Sequence, residues 1–178
     1  MRTMSCIERH ADEGSTGATS IAASPDGSTY AVGSTMGVVN MYDSSLERSS
    51  RSGAAAGGSL LQRALAGQLG SSEGSGAAAH AGFVVRKPVH TVMNLTTAVS
   101  GLTYSHDGQL LVMSSQRGRD SMRVVHCASG TVFSNWPTAR TPLHYVTATD
   151  FSPHSGYLAV GNDKGRVLLY RVNHYQEA

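Results

Sequence analysis

Eight histidines, twelve acidic residues and two cysteines in 178 residues are raw material for metal binding or acid–base catalysis. Spacing decides whether any of that chemistry can follow. A catalytic zinc helix needs H-E-x-x-H, and a structural zinc site needs closely paired cysteines. Neither occurs: Cys6 and Cys127 stand alone, and His106, His126, His144 and His154 fall in strand or turn sequence of different segments. There is no G-x-S-x-G elbow to present a nucleophile. "GSTMG" (33–37) and "GGSLLQRALAG" (57–67) lack the lysine and the strand-to-helix setting of a phosphate loop. Asp26, Asp107 and Asp163 sit in turn sequences, where a carboxylate capping its own backbone accounts for them. No catalytic, cofactor-binding or metal-binding residue is assigned, no small-molecule substrate is implied, and no enzyme is expected.

The groups left over are suited to contact rather than reaction. Arg117, Arg119 and Arg123 cluster about one turn, and Arg86 and Lys87 lie together further back. Such residues can meet phosphates, but a solvated loop is the preferred reading. The net charge of +2 and pI near 8.7 are too faint for a nucleic-acid binder relying on charge alone. Phe133 and Trp136 in "TVFSNWPT" are read as packing between elements rather than stacking on a base, with Pro137 closing an outer strand. Two isolated cysteines make no disulfide framework, which suits a reducing intracellular setting. No apolar run approaches the roughly 18 residues that would span a membrane. The N-terminal stretch "MRTMSCIERHADEG" has no apolar signal core. "NLT" at 94–96 fits a glycosylation sequon but lies beside strand-like sequence.

The elements that carry these groups repeat. "SIAASPDGSTYAVGSTMGVVNMYD" (20–43), "SGLTYSHDGQLLVMSSQRGRDSMRVVHC" (100–127) and "VTATDFSPHSGYLAVGNDKGRVLLYRV" (146–172) share one grammar. A short alternating run (Ile21 and Ala23, Leu102 and Tyr104, Thr149 and Phe151) ends in a turn, "SPDG", "SHDG" or "SPHSG". An apolar run follows, then a second tight turn, clearest in "NDKG" (162–165), then a run rich in β-branched residues. Three strands joined by short hairpins make an antiparallel meander. "VHTVMNL" (89–95) and "TVFSNW" (131–136) supply an outer fourth strand ahead of the second and third units. Four strands per repeat is the plan of a β-propeller blade.

The spacing agrees. Gly108 to Gly156 spans 48 residues, while Gly27 to Gly108 spans 81, and residues 44–82 account for the excess: 26 of those 39 are Ser, Gly or Ala. Without that insert the interval falls to 42 residues, close to the ~40–45 of such blades. The insert cannot bury enough side chain to offset its ordering entropy and is expected to be a disordered loop, with at most a marginal helical turn at "LLQRALAGQL". The chain therefore divides into 1–19, an outer strand of a preceding blade ("CIERHAD") and linker; 20–99, a blade with the disordered insert 44–82; 100–140, a blade; and 141–178, a last blade without its own outer strand. A closed ring needs at least ~4 blades, and open blades expose strand edges. The sequence is accordingly expected to be the C-terminal part of a longer propeller, and not to fold stably as an isolated monomer.

"KPVHTVMNLTTAVSGLTYSHDGQLL", "MRVVHCASGTVFSNWPT" and "DFSPHSGYLAVGNDKGRVLLYRVNHY" carry a family resemblance. With "DEGSTGATSIAASPDG" and "GVVNMYD" they resemble the C-terminal half of the U3 small nucleolar RNA-associated protein 18 family, WD-repeat components of the small-subunit processome. The resemblance covers nearly all of the chain outside the insert. It implies an all-β WD-repeat β-propeller, here about three blades of a seven-bladed ring, acting as a non-catalytic scaffold in nucleolar pre-rRNA processing and small ribosomal subunit biogenesis. Its partners would be other processome proteins and the ribonucleoprotein containing U3 snoRNA and pre-rRNA, with no membrane and no cofactor. His10, where the family tends to have an aromatic residue, and "STMG", which lacks the usual Asp, depart from the pattern. The alternative is a WD-repeat adaptor of another complex, in ubiquitin ligation or trafficking, which should not share "MNLTT" or "TVFSNWPT". A propeller hydrolase would need carboxylates or histidines converging on the channel, and a membrane-binding propeller would want paired arginines, of which "RGR" (117–119) is a poor version.

Overall fold

A computed structural model describes residues 9–12, 14–44, 84–138 and 140–173. The insert 44–82 falls outside the described residues save for Ser44, as does the first part of "CIERHAD" with Cys6. In chain order the strands are β1 (His10–Ala11), β2 (Ala18–Ala23), β3 (Thr29–Ser34), β4 (Val39–Asp43), β5 (Val84–Val85) and β6 (His90–Val92). They continue as β7 (Gly101–Tyr104), β8 (Leu110–Ser114), β9 (Met122–His126), β10 (Thr131–Val132), β11 (Val146–Phe151), β12 (Tyr157–Asn162) and β13 (Val167–Arg171). All described regular structure is β, and each repeat unit is an antiparallel sheet: β2-β3-β4-β6, then β7-β8-β9-β10, then β11-β12-β13.

Each unit's alternation places one residue set on each side of its sheet, because successive strand side chains point to opposite faces. In the middle sheet both sides are buried. Leu111, Met113 and Val125 pack against Val39, Met41 and Val99 from the first sheet and its connection. Leu110, Val112, Met122 and Val124 pack against Phe151, Leu158 and Val160 of the third sheet, with Leu143 and Val146. Every residue of β8 is therefore buried. A sheet covered on both faces reads as the near-continuous apolar run "LLVMS".

The flanking sheets differ. Ile21 and Leu102 occupy matching places in the alternating runs of their units. Leu102 packs against the first sheet, whereas Ile21 is 72% exposed, because the short β1–β5 pair on its face covers Tyr30, Asn40 and Tyr42 and leaves β2 open. On the far flank Val167 and Leu169 of β13 point away from the middle sheet and are 74% and 66% exposed. Stacking, not the strand pattern, decides which apolar residues are buried.

The outer strands are shorter than the sequence suggests. β6 takes only His90–Val92 and pairs with β4; β10 takes only Thr131–Val132 and pairs with β9. Each completes the sheet that comes before it. One further rung, Phe133 N–H to Val124 O at 2.9 Å, extends β10 before Trp136 turns in against the Tyr170 ring, 4.8 Å between centroids. "CIERHAD" also behaves differently from a strand that would close the last sheet. Its described end, β1, makes a short parallel pairing with β5, and among the described residues the last sheet remains three-stranded. His10 packs against the rings of both Tyr30 and Tyr42, at 5.6 and 5.3 Å, and those two rings stack on each other at 5.3 Å.

Gly37 fixes the hairpin between β3 and β4. Its φ of +83° is open to glycine, and an added Cβ would lie 2.3 Å from the Leu95 carbonyl oxygen. The turn thereby lies hard against the connection that leads into the second sheet.

Candidate functional site

The sheets align so that corresponding turns share a side, giving the stack two rims. On one rim lie the turns that follow the first strand of each unit. In the first, the Ser24 hydroxyl donates to Asp26 Oδ1, which also accepts from Ser28 N–H at 3.1 Å. The second copies it: Ser105 Oγ donates to Asp107 Oδ1 at 2.5 Å, and Gln109 N–H donates to the same oxygen at 3.2 Å. Ser24 and Ser105 each also accept a backbone N–H, from Thr29 at 3.0 Å and Leu110 at 2.9 Å. The hydroxyl of Ser24, followed by Ser28, holds the Asp26 carboxyl down to about 2, below the usual carboxylate range. These carboxylates serve as turn caps. The third unit, "SPHSG", has no aspartate here and uses Ser152 Oγ to accept Tyr157 N–H at 3.1 Å.

The histidines are dispersed. His106 and His154 are exposed on this rim, where Ser155 Oγ accepts the His106 backbone N–H at 3.0 Å. His126 bonds Ser129 Oγ through Nδ1 at 2.8 Å, and His144 belongs to the opposite rim. No three His, Cys, Asp or Glu side chains among the described residues form a group that could hold a metal. Burial pushes the Cys127 thiol up to about 12, with the Asp107 charge adding to it, so at neutral pH it is a protonated packing group.

The opposite rim carries the hairpins Thr35–Val38, Gln116–Ser121 and Asp163–Arg166, together with the connections that lead into β7 and β11. These segments are laced together. Thr97 Oγ1 donates to Ser115 Oγ at 2.7 Å, and Gln116 Nε2 donates to Thr147 O at 3.1 Å. Asp120 N–H donates to His144 O at 2.8 Å, and His144 N–H donates back to Asp120 Oδ1 at 2.7 Å. Both residues hold positive φ, 54° and 58°. Asp163 repeats the clasp one residue on: its N–H donates to Tyr145 O at 3.0 Å and its Oδ1 accepts Tyr145 N–H at 3.3 Å.

The sequence-flagged cations divide here. Arg117 and Arg119 are exposed on the second hairpin, with Arg119 Nε 3.5 Å from Asp120 Oδ2. Arg123 is half-buried and donates from Nη1 to Met122 O at 2.7 Å, so it leaves the group. Arg86 and Lys87 lie after β5, away from this rim. Tyr145, Lys164 and Arg166, all exposed, join Arg117 and Arg119. Tyr145 meets Asp163 as the rung beyond Val146–Asn162 in the β11–β12 ladder, and the Asp120–His144 pair brings this end of the third sheet to the second hairpin, a contact between units that sequence reasoning missed.

Trp136 is half-buried and Phe133 is exposed along a cleft of about 360 Å³ between the second and third sheets, which Leu110, Tyr170 and Arg171 also line. Trp136 packs against the core between these sheets, whereas Phe133 stays exposed at the edge of the cleft. Asp12, also missed, accepts from Asn40 Nδ2 at 2.9 Å and Tyr42 OH at 2.5 Å, fastening the N-terminal segment to the first sheet.

No family model matches the chain. It is similar to the U3 small nucleolar RNA-associated protein 18 homolog of Arabidopsis thaliana, 37% identical over 178 residues, which is 100% of this chain and 26% of that protein. The Homo sapiens homolog is 35% identical over 175 residues, 97% of this chain and 25% of the relative. The Saccharomyces cerevisiae protein of the same name is 52% identical over 88 residues, 49% of this chain and 15% of the relative. The chain thus spans about a quarter of the length of the first two curated relatives. Among solved structures, a chain of the mitotic checkpoint complex matches with TM-score 0.53 at 14% identity, covering 90% of this chain and 35% of that one. The WD40 repeats of RRP9 match with TM-score 0.53 at 12% identity, covering 88% and 36%. Those two likenesses establish a WD40-type all-β fold.

Proposed function

Because the chain is homologous along its whole length to about a quarter of the proteins named U3 small nucleolar RNA-associated protein 18, we propose that it serves in ribosome biogenesis. Its role is that of a non-catalytic scaffold in the small-subunit processome, acting in nucleolar pre-rRNA processing. The carrying observation is that homology, which spans the blade pattern and the specific words "MNLTT" and "TVFSNWPT" together. The geometry supports a scaffold. Asp26 and Asp107 are engaged as turn caps, and the polar lacing of the second rim holds its loops in fixed places. Rigid sheets with two distinct rims can hold several molecules without chemistry of their own. The partners on this reading are other processome proteins and the particle containing U3 snoRNA and pre-rRNA. On this reading the chain supplies about three blades of a seven-bladed ring, 20–99, 100–140 and 141–178, with 1–19 leading in from a preceding blade.

The test is to tag the endogenous protein, purify it gently and quantify U3 and pre-rRNA against a control tag. Strong enrichment of both, with nucleolar signal from the tag, is expected. An intact, expressed protein that enriches neither would overturn the assignment and turn attention to an adaptor role in another complex.

A further inference from the structure

The rim built from the second and third hairpins carries four exposed cations, Arg117 and Arg119 on one loop and Lys164 and Arg166 on the next. Beside the second loop stands Tyr145, 42% exposed, its backbone paired with Asp163. The arrangement is held from both sides: the Asp120–His144 pair ties the first loop to the connection before β11, and the Asp163–Tyr145 pair ties the second loop to the adjacent residue of that connection. Asp120 and Asp163 each turn one carboxylate oxygen to these backbone N–H groups, and Asp120 Oδ2 also lies 3.5 Å from Arg119 Nε, so the four cations outnumber the two carboxylates of these loops. The equivalent hairpin of the first sheet, Thr35–Val38, has no charge, and the positive zone is confined to the second and third sheets.

We infer that this face binds single-stranded RNA, with the cations of the two hairpins on successive phosphates and the Tyr145 ring under a base. Cations beside an exposed aromatic ring form the minimal platform for an unpaired strand, since every base offers a π face whatever its identity. An acidic protein segment could satisfy the cations but has no use for an exposed ring beside them. The clasps matter because they fix the ring and the loops before binding, which spares ordering cost. The inference deepens the ribosome-biogenesis reading and rests on it for the source of the RNA, not for the chemistry of the face.

The experiment is UV cross-linking in cells expressing the tagged full-length protein, with cross-linked nucleotides mapped on tryptic peptides. Tyr145 falls in the peptide 141–164, where fragment ions separate it from the opposite rim's turn at 152–156. A nucleotide on Tyr145 is expected. The variant R117A/R119A/K164A/R166A should lower it at least about tenfold, because each lost phosphate contact forfeits released counterions. The lysine-preserving variant R117K/R119K/R166K should retain most of it, which separates charge from folding. No cross-link on Tyr145 in the unmodified protein overturns the inference, as does one that survives loss of all four cations. Loss of a protein neighbour in the alanine variant, with RNA cross-links unchanged, would assign the face to an acidic protein instead. A Tyr145 cross-link to some other RNA, without U3 enrichment, would keep the face and sink the processome reading.

Discussion

Leu110 and Leu111 are neighbours in β8 that face opposite ways, and truncating each should cost a different amount. Leu111 is fully buried among Val39, Met41, Leu95, Val99, Met113 and Val125, hemmed in by two sheets and the connection between them. A leucine-to-alanine change in such a site leaves a cavity the surroundings cannot fill, at about 3–4 kcal/mol. Leu110 is just as buried but lines the 360 Å³ cleft beside Phe133, Trp136 and Tyr170. Those rings have room to shift, so L110A should cost about 2 kcal/mol, the lower end of the range. The two side chains share no cluster, so the double variant should sum to within ~0.5 kcal/mol. Volume-conserving L111M should cost less than about 1.5 kcal/mol. Pulse proteolysis of the tagged protein across a urea series in clarified lysate, with native partners present, reads these differences. With a urea slope of about 2 kcal/mol/M, L111A should move the midpoint down by about 1.5–2 M. A cost below ~1 kcal/mol for L111A, or a larger cost for L110A, would refute the two-sided burial of the middle sheet.

Three other expectations follow from particular residues. G37A should destabilise by about 3 kcal/mol or more in the same urea assay, since it combines a left-handed backbone with a collision at Leu95 O. G27A, at φ +68° with open space around it, should cost only about 1 kcal/mol; equal costs would show that packing against Leu95 is unimportant. Cys127, with its thiol raised to about 12, should resist iodoacetamide at pH 8 in the native protein and react once urea is added, as read on the tryptic peptide 124–140; native alkylation within minutes would contradict its burial. Asp26, lowered from 3.8 to about 2, supports its turn in the ionised form. Its contribution is therefore full above pH 4 and is lost as pH falls towards 2. Hydrogen exchange of the Ser28 and Thr29 amides, corrected for intrinsic rates, should show constant protection from pH 7 to 5, and a loss of protection within that range would count against the cap.

The local plan is legible along the chain. Turn chemistry in "SPDG" and "SHDG" and the period-2 alternation encode three meanders, because hydrogen-bonding caps and strand geometry act over a few residues. Tertiary structure decided what those strands mean to one another. Ile21 and Leu102 are written alike, yet only Leu102 is covered, since burial depends on which sheet lies opposite. Arg123 reads as a partner of Arg117 and Arg119, but it turns back to the Met122 carbonyl. Tyr145 joins Lys164 and Arg166 across the Asp163 clasp, 18 residues apart in the chain. That rung only extends the β11–β12 ladder within one sheet, whereas the Asp120–His144 bonds cross from the second sheet's hairpin to the connection before β11 and exist only once the sheets have stacked.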